Sequence, residues 1–130
     1  MKTKQKPIYI DDLHFEHTFW RRQLNFQKDE LGIFTERLGE IVNRWTDKEV
    51  LAKAEHFQNA FIRHGEVIDT ILHEINLEED RLAEMAKGNP TAIDHVRFED
   101  HADEREKVFQ QVKLYDEMKL EFMKFLRHTM

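Results

Sequence analysis

Residues 47–88 read DKEVLAKAEHFQNAFIRHGEVIDTILHEINLEEDRLAEMAKG, a tract without proline. Its apolar residues recur at spacings of three and four, through Val50, Ala54, Phe57, Phe61, Ile68, Ile71, Ile75, Leu82 and Met85. That repeat marks one face of an α-helix, and nothing in it alternates as a strand would. Two positions on the same seam are polar, His64 and Glu78. Thr46-Asp47-Lys48-Glu49 has the form of a capping box, and Trp45 and Val50 stand around it as a hydrophobic staple. At the far end Gly88 suits the left-handed residue that closes a helix, and Pro90 cannot continue one. The tract therefore predicts a helix over about 47–87, turned sharply at both ends.

The same periodicity extends to either side, and no strand is expected anywhere. Residues 1–10 read as a leader. A first helix over about 11–45 is expected to start at Asp11 as N-cap, with Ile10 and Phe15 as a staple. Its seam runs Leu13, His17, Trp20, Leu24, Gln27, Leu31, Phe34, Leu38, Ile41 and Trp45. A third helix over about 92–129 is introduced by Thr91 and Asp94, with His101, Val108, Val112, Tyr115, Phe122 and Leu126 inward. Helices of this length measure ~50–60 Å. Sharp turns between them give an all-α, antiparallel up-down-up bundle in one domain, 1–130. The first helix carries a second apolar line, Phe15, Phe19, Phe26 and Ile33. It fits either two neighbours within one chain or completion of the bundle by dimerisation, so self-association stays open.

Composition removes several classes of function. The chain has no cysteine, which excludes disulfides and thiolate chemistry and suits a reducing, cytoplasmic setting. It also has no serine, so serine-based triads are excluded, and its four glycines are too dispersed for a phosphate loop. Net charge is −6, with 26 acidic and 20 basic residues, and no stretch gathers the basic ones. Nucleic acid is therefore not an expected partner. No apolar stretch is long enough to span a bilayer, so no membrane partner is expected either.

Three polar residues occupy the apolar seams of different helices: His17, Glu78 and His101. Counted from the turns, Glu78 comes level with about position 14 on the first helix and about position 100 on the third. His14, Glu16 and Glu104 lie close to the same level. Two imidazoles and a carboxylate from separate helices suit a divalent metal such as Zn, Fe or Mn. The expected ligands are His17, Glu78 and His101, with His14, Glu16 or Glu104 completing the shell. A hydrogen-bonded polar cluster without metal is the alternative. The Glu-x-x-His pairs of ferritin-like di-iron proteins are absent, as is the His-x-x-x-His element of hemerythrins. Glu30 and His64 are also level and are expected to hydrogen-bond to each other, setting register.

The run Leu13-His14-Phe15-Glu16-His17 with Trp20, the run His56-Phe57-Gln58-Asn59, and the closing Phe122-Met123-Lys124-Phe125-Leu126 resemble a family of short, uncharacterised bacterial all-helical proteins. The resemblance implies a one-domain helical fold and no activity. Two functional readings follow from the residues: a helical bundle with a non-haem divalent metal site in its core, or a non-enzymatic interaction or scaffold module whose buried polar residues set packing. Neither assigns a reaction.

Overall fold

The computed structural model describes residues 8–88, 92–93 and 95–130. Three long helices pack against one another: α1 (Ile10–Arg44), α2 (Lys48–Lys87) and α3 (His95–Thr129). The all-α, up-down-up bundle read from periodicity is the fold. Two short strands depart from that reading. β1 (Ile8–Tyr9) pairs antiparallel with β2 (Ala92–Ile93), Ile8 opposite Ile93 and Tyr9 opposite Ala92. The segments entering α1 and α3 reach the same end of the bundle. There, two extended residues from each satisfy backbone groups that lie outside the helices. No helix of the described residues is long and apolar enough to cross a membrane.

Helix ends differ in detail from the expected caps. α1 begins one residue early, with Tyr9 as N-cap and no side-chain cap, so Asp11 and Asp12 fall inside the first turn. They face the positive end of the helix dipole there, which is favourable without a capping bond. The expected staple does not form. Ile10 packs beside Leu13 and Leu82, whereas Phe15 points to solvent. α2 is capped by Asp47, one residue later than a Thr46 capping box requires, and its carboxylate accepts from Glu49 N (2.8 Å) and Val50 N (3.1 Å). Gly88 ends α2 at φ −81° and ψ 8°, not in the left-handed region. Its N–H bonds to the carbonyl of Met85, and this tighter closure needs no positive φ. Thr91 and Asp94, expected to start α3, lie outside the described residues.

The seam of α1 is buried as read, from Leu13 through Ile41, and so is that of α2 from Val50 to Leu82, except that His64 is only half-buried. The main core carries a column of aromatic rings. Phe122 is fully buried and lies within 4.9–6.3 Å, centroid to centroid, of Phe34, Phe57, Phe61 and Phe125. A smaller cluster around Leu13 and Leu82 closes the other end. His17 lies on α1 between Leu13 and Trp20, at the join of the two clusters. The second line of α1, left open between neighbours within the chain and dimerisation, is uncovered in the single chain: Phe15, Phe19, Phe26 and Ile33 are all exposed. In this bundle α1 fills both neighbours from one stripe, leaving the adjacent line uncovered.

The cap of α2 offers a direct check. Asp47→Ala removes the acceptor for two amides at the sharp α1–α2 turn. Stability is expected to fall by about 1 kcal/mol in denaturant titration, with the denaturant slope unchanged.

Candidate functional site

Burial of an imidazole requires a role for both ring nitrogens. His17 and His101 are 0% and 1% exposed, and their ring centroids are 5.0 Å apart. Trp20 covers the pair from the core side, stacked on His101 at 4.9 Å and edge-on to His17 at 5.5 Å. Each histidine is tied on one nitrogen to a carboxylate from another helix. His17 Nδ1 bonds Glu79 of α2, whose second oxygen takes Nδ1 of the exposed His14 at 2.8 Å. His101 Nε2 donates to Glu16 of α1 at 2.9 Å. Glu16 is itself clamped by Arg105, one turn further along α3, whose Nε donates at 2.9 Å.

The carboxylates fix the tautomers. With each ring neutral, the proton sits on the nitrogen facing the carboxylate and the other nitrogen keeps a lone pair. Burial pushes His101 below the ordinary histidine pKa, against the opposing pull of Glu16. Burial alone would raise the Glu16 carboxyl, but its bonds to Arg105 and His101 hold it below the usual range. The two remaining nitrogens, His17 Nε2 and His101 Nδ1, are buried and have no hydrogen-bond partner among the described residues. Two lone pairs cannot satisfy one another; they call for a proton donor or a Lewis acid.

The carboxylates expected to join them are engaged elsewhere. Glu78 is buried but turned to Arg81 (3.1 Å). Glu104, one turn from His101, is buried against Glu74. Burial, reinforced by the hydrogen bond to Glu74 and its charge, pushes the Glu104 carboxyl up to about 8. It therefore keeps its proton at neutral pH and shares it with Glu74, which Lys107 also holds at 3.1 Å. Its second oxygen, Oε1, is also a buried atom without a hydrogen-bond partner among the described residues. A protonated carboxyl is a poor ligand as it stands. Accordingly, among the described residues no group of three or more histidine, aspartate or glutamate side chains is arranged to hold a metal ion. Of the six expected ligands, the structure brings His17 and His101 together ring to ring, makes Glu16 an anchor for His101, and sets His14 beside His17 on a shared carboxylate. Glu78 and Glu104 line the acidic cleft between α2 and α3.

Glu79 was missed by the sequence reading. It is level with His17 just as Glu78 is, but lies off the apolar seam, and seam position guided the choice. Adjacent helical residues point about 100° apart, which is enough to send one carboxylate toward α1 and its neighbour toward Arg81.

A second polar thread runs through the middle of the bundle, and its pairing corrects an expectation. Glu30 does not meet His64. It accepts from Tyr115 Oη at 2.6 Å and Lys119 Nζ at 2.9 Å. Burial, with Glu30 close by, pushes the Tyr115 pKa up. His64 Nδ1 instead accepts from Gln111, whose amide also donates to Gln27 Oε1. Glu30 lies on the α3 side of α1, so levelness with α2 does not bring it to His64.

The His64 pKa is lowered from 6.5, chiefly by burial, with the charge of Arg63 acting in the same direction. Below pH 6.5 the unfolded chain therefore binds the proton more readily, and stability falls as pH is lowered through the window beneath that value. His64→Gln keeps an acceptor for Gln111 but cannot titrate. Its stability–pH curve, from denaturant titrations across this window, is expected to be flatter than that of the parent chain. Parallel curves would show that His64 contributes nothing to acid sensitivity.

Compared with known proteins, the chain matches no family model, no curated protein and no solved structure.

Proposed function

We propose that this helical bundle binds a divalent transition metal ion, zinc, iron or manganese, through Nε2 of His17 and Nδ1 of His101. One observation carries the reading. Two buried imidazoles lie ring against ring, each tied to a carboxylate through one nitrogen and left with no partner among the described residues on the other. Metal-bound histidines characteristically donate their second N–H to a carboxylate, which fixes the tautomer and raises ligand basicity. Glu79 and Glu16 have that outer role here. Two protein nitrogens leave the remaining positions to water, so the site would be open.

A second reading has its own support. The carboxylates are paired with Arg81, Arg105 and Glu74, and among the described residues no three ligands converge. Buried polar atoms of this kind are also satisfied by ordered water. In that case the cluster fixes helix pairing in an interaction module and has no chemistry of its own.

Calorimetric titration of untagged protein with Zn²⁺ or Co²⁺ separates the two. The metal reading expects one equivalent bound, with binding abolished by His17→Ala and by His101→Ala. Glu79→Gln should weaken it by roughly 10-fold or more, and metal should raise the melting temperature of the parent chain alone. Circular dichroism confirms that the variants stay helical, and His17→Gln serves if the alanine variant unfolds. Binding that is absent, or that survives both histidine substitutions, removes the metal reading and leaves the structural cluster.

A further inference from the structure

The exposed line on α1 is independent of the histidine site. Phe19, Phe26 and Ile33 follow one another at seven-residue intervals, with Phe15 four residues before the first. They are 52%, 61%, 64% and, for Phe15, 71% exposed. Seven- and four-residue spacings place all four on one straight stripe, the seam geometry of paired helices. At about 200 Å² for a large apolar side chain, the four expose on the order of 500 Å². That matches the largest apolar patches monomers ordinarily carry, and it is more than half of the ~800 Å² each partner buries in a standard interface. A groove of about 480 Å³ between α1 and α3 opens beside the stripe, with Phe19, Phe26 and Val112 among its walls. Lys119 reaches the Phe26 ring at 5.9 Å without covering it.

We infer that this stripe is the contact face of a homodimer, in which α1 of a second copy lies antiparallel across it, centred near Phe26. The charges on the stripe select both occupant and direction. Arg22 lies four residues before Phe26 and Asp29 three residues after it; both are exposed, and neither forms an ion pair among the described residues. In a parallel pair Arg22 would face Arg22 and Asp29 would face Asp29. In an antiparallel pair about Phe26, each Arg22 meets the Asp29 of the other copy, giving two ion pairs. Phe19 then meets Ile33 of the other copy, and Phe26 meets its own symmetry mate. The face is thus complementary to itself, as a two-fold interface must be.

Sedimentation equilibrium of the full chain is expected to show a monomer–dimer equilibrium. Phe26→Asp should weaken it by about 30-fold or more while helix content and melting of the monomer persist. Arg22→Asp and Asp29→Arg should each weaken the dimer, and the double exchange should restore it. Because the chain has no cysteine, single introduced thiols report direction. Phe26→Cys should link to itself through a short bifunctional reagent. Ile33→Cys should not, since its two copies would be ~20 Å apart along the helices, yet it should link to Phe19→Cys in a mixture. A monomer at every concentration, a dimer indifferent to Phe26→Asp, or efficient self-linking of Ile33→Cys overturns the proposal.

Discussion

A buried imidazole brings two nitrogens that must each be accounted for, and that constraint organises one end of this molecule. Leucine at positions 17 and 101 would let α1, α2 and α3 meet by shape alone. Histidine obliges α2 to present Glu79 and α1 to present Glu16, and Glu16 in turn requires Arg105. Each bond crosses between helices, so the cluster locks three elements in rotation as well as in height. Removing one carboxylate would leave a buried ring nitrogen unmatched, which costs more than the net worth of the bond itself. The same geometry leaves an inward lone pair on each ring, so the feature that fixes the fold here also creates the unsatisfied site.

Further along the bundle, polar contacts serve register without that chemical consequence. Four bonds between α1 and α3 pair residues separated by 84 or 85 in sequence: Glu16 with His101, Gln27 with Gln111, Glu30 with Tyr115, and Trp45 with Thr129. An apolar seam with a seven-residue rhythm tolerates sliding by a heptad, because leucine meets leucine again. A column of specific donor–acceptor pairs at one constant offset does not tolerate it, since a shift would bury several unpaired polar groups. Gln27, Gln111, Glu30 and Tyr115 thus choose one alignment among those that hydrophobic burial alone would allow.

The parts of the molecule legible in sequence are those governed by periodicity and by breaks in it. The seams of α1 and α2, the turn at Trp45 to Asp47 and the convergence of His17 with His101 all follow from counting. Rotation about each helix axis does not, because it depends on how three stripes share two interfaces apiece. For that reason Glu78 was read as the carboxylate of the cluster when its neighbour Glu79 meets the ring. For the same reason counting leaves open whether the line of Phe15 and Ile33 meets a neighbour within the chain or faces outward, as it does. The pairing of Glu30 with His64 failed similarly: the two are level, but they sit on sides of α1 and α2 that serve different neighbours. The short strands before α1 and α3 carry no periodic signal, since two extended residues are too few to alternate.

One turn of α1 concentrates these effects. His14 and His17 reach α2 through Glu79, Glu16 reaches α3 through His101 and Arg105, and Phe15 faces outward. Successive side chains diverge by about 100°, so three neighbouring residues serve three different surroundings. Their positions are not separable: a rotation of α1 that buried Phe15 would pull Glu16 off His101 and His17 off Glu79. Two cross-helix carboxylate bonds outweigh the burial of one phenylalanine, because the alternative strands charged and polar groups in a dry interior. The outer aromatic line is therefore exposed as a consequence of how the inner histidines are held. A surface that packs over Phe15 would press on the same turn that aims both imidazoles.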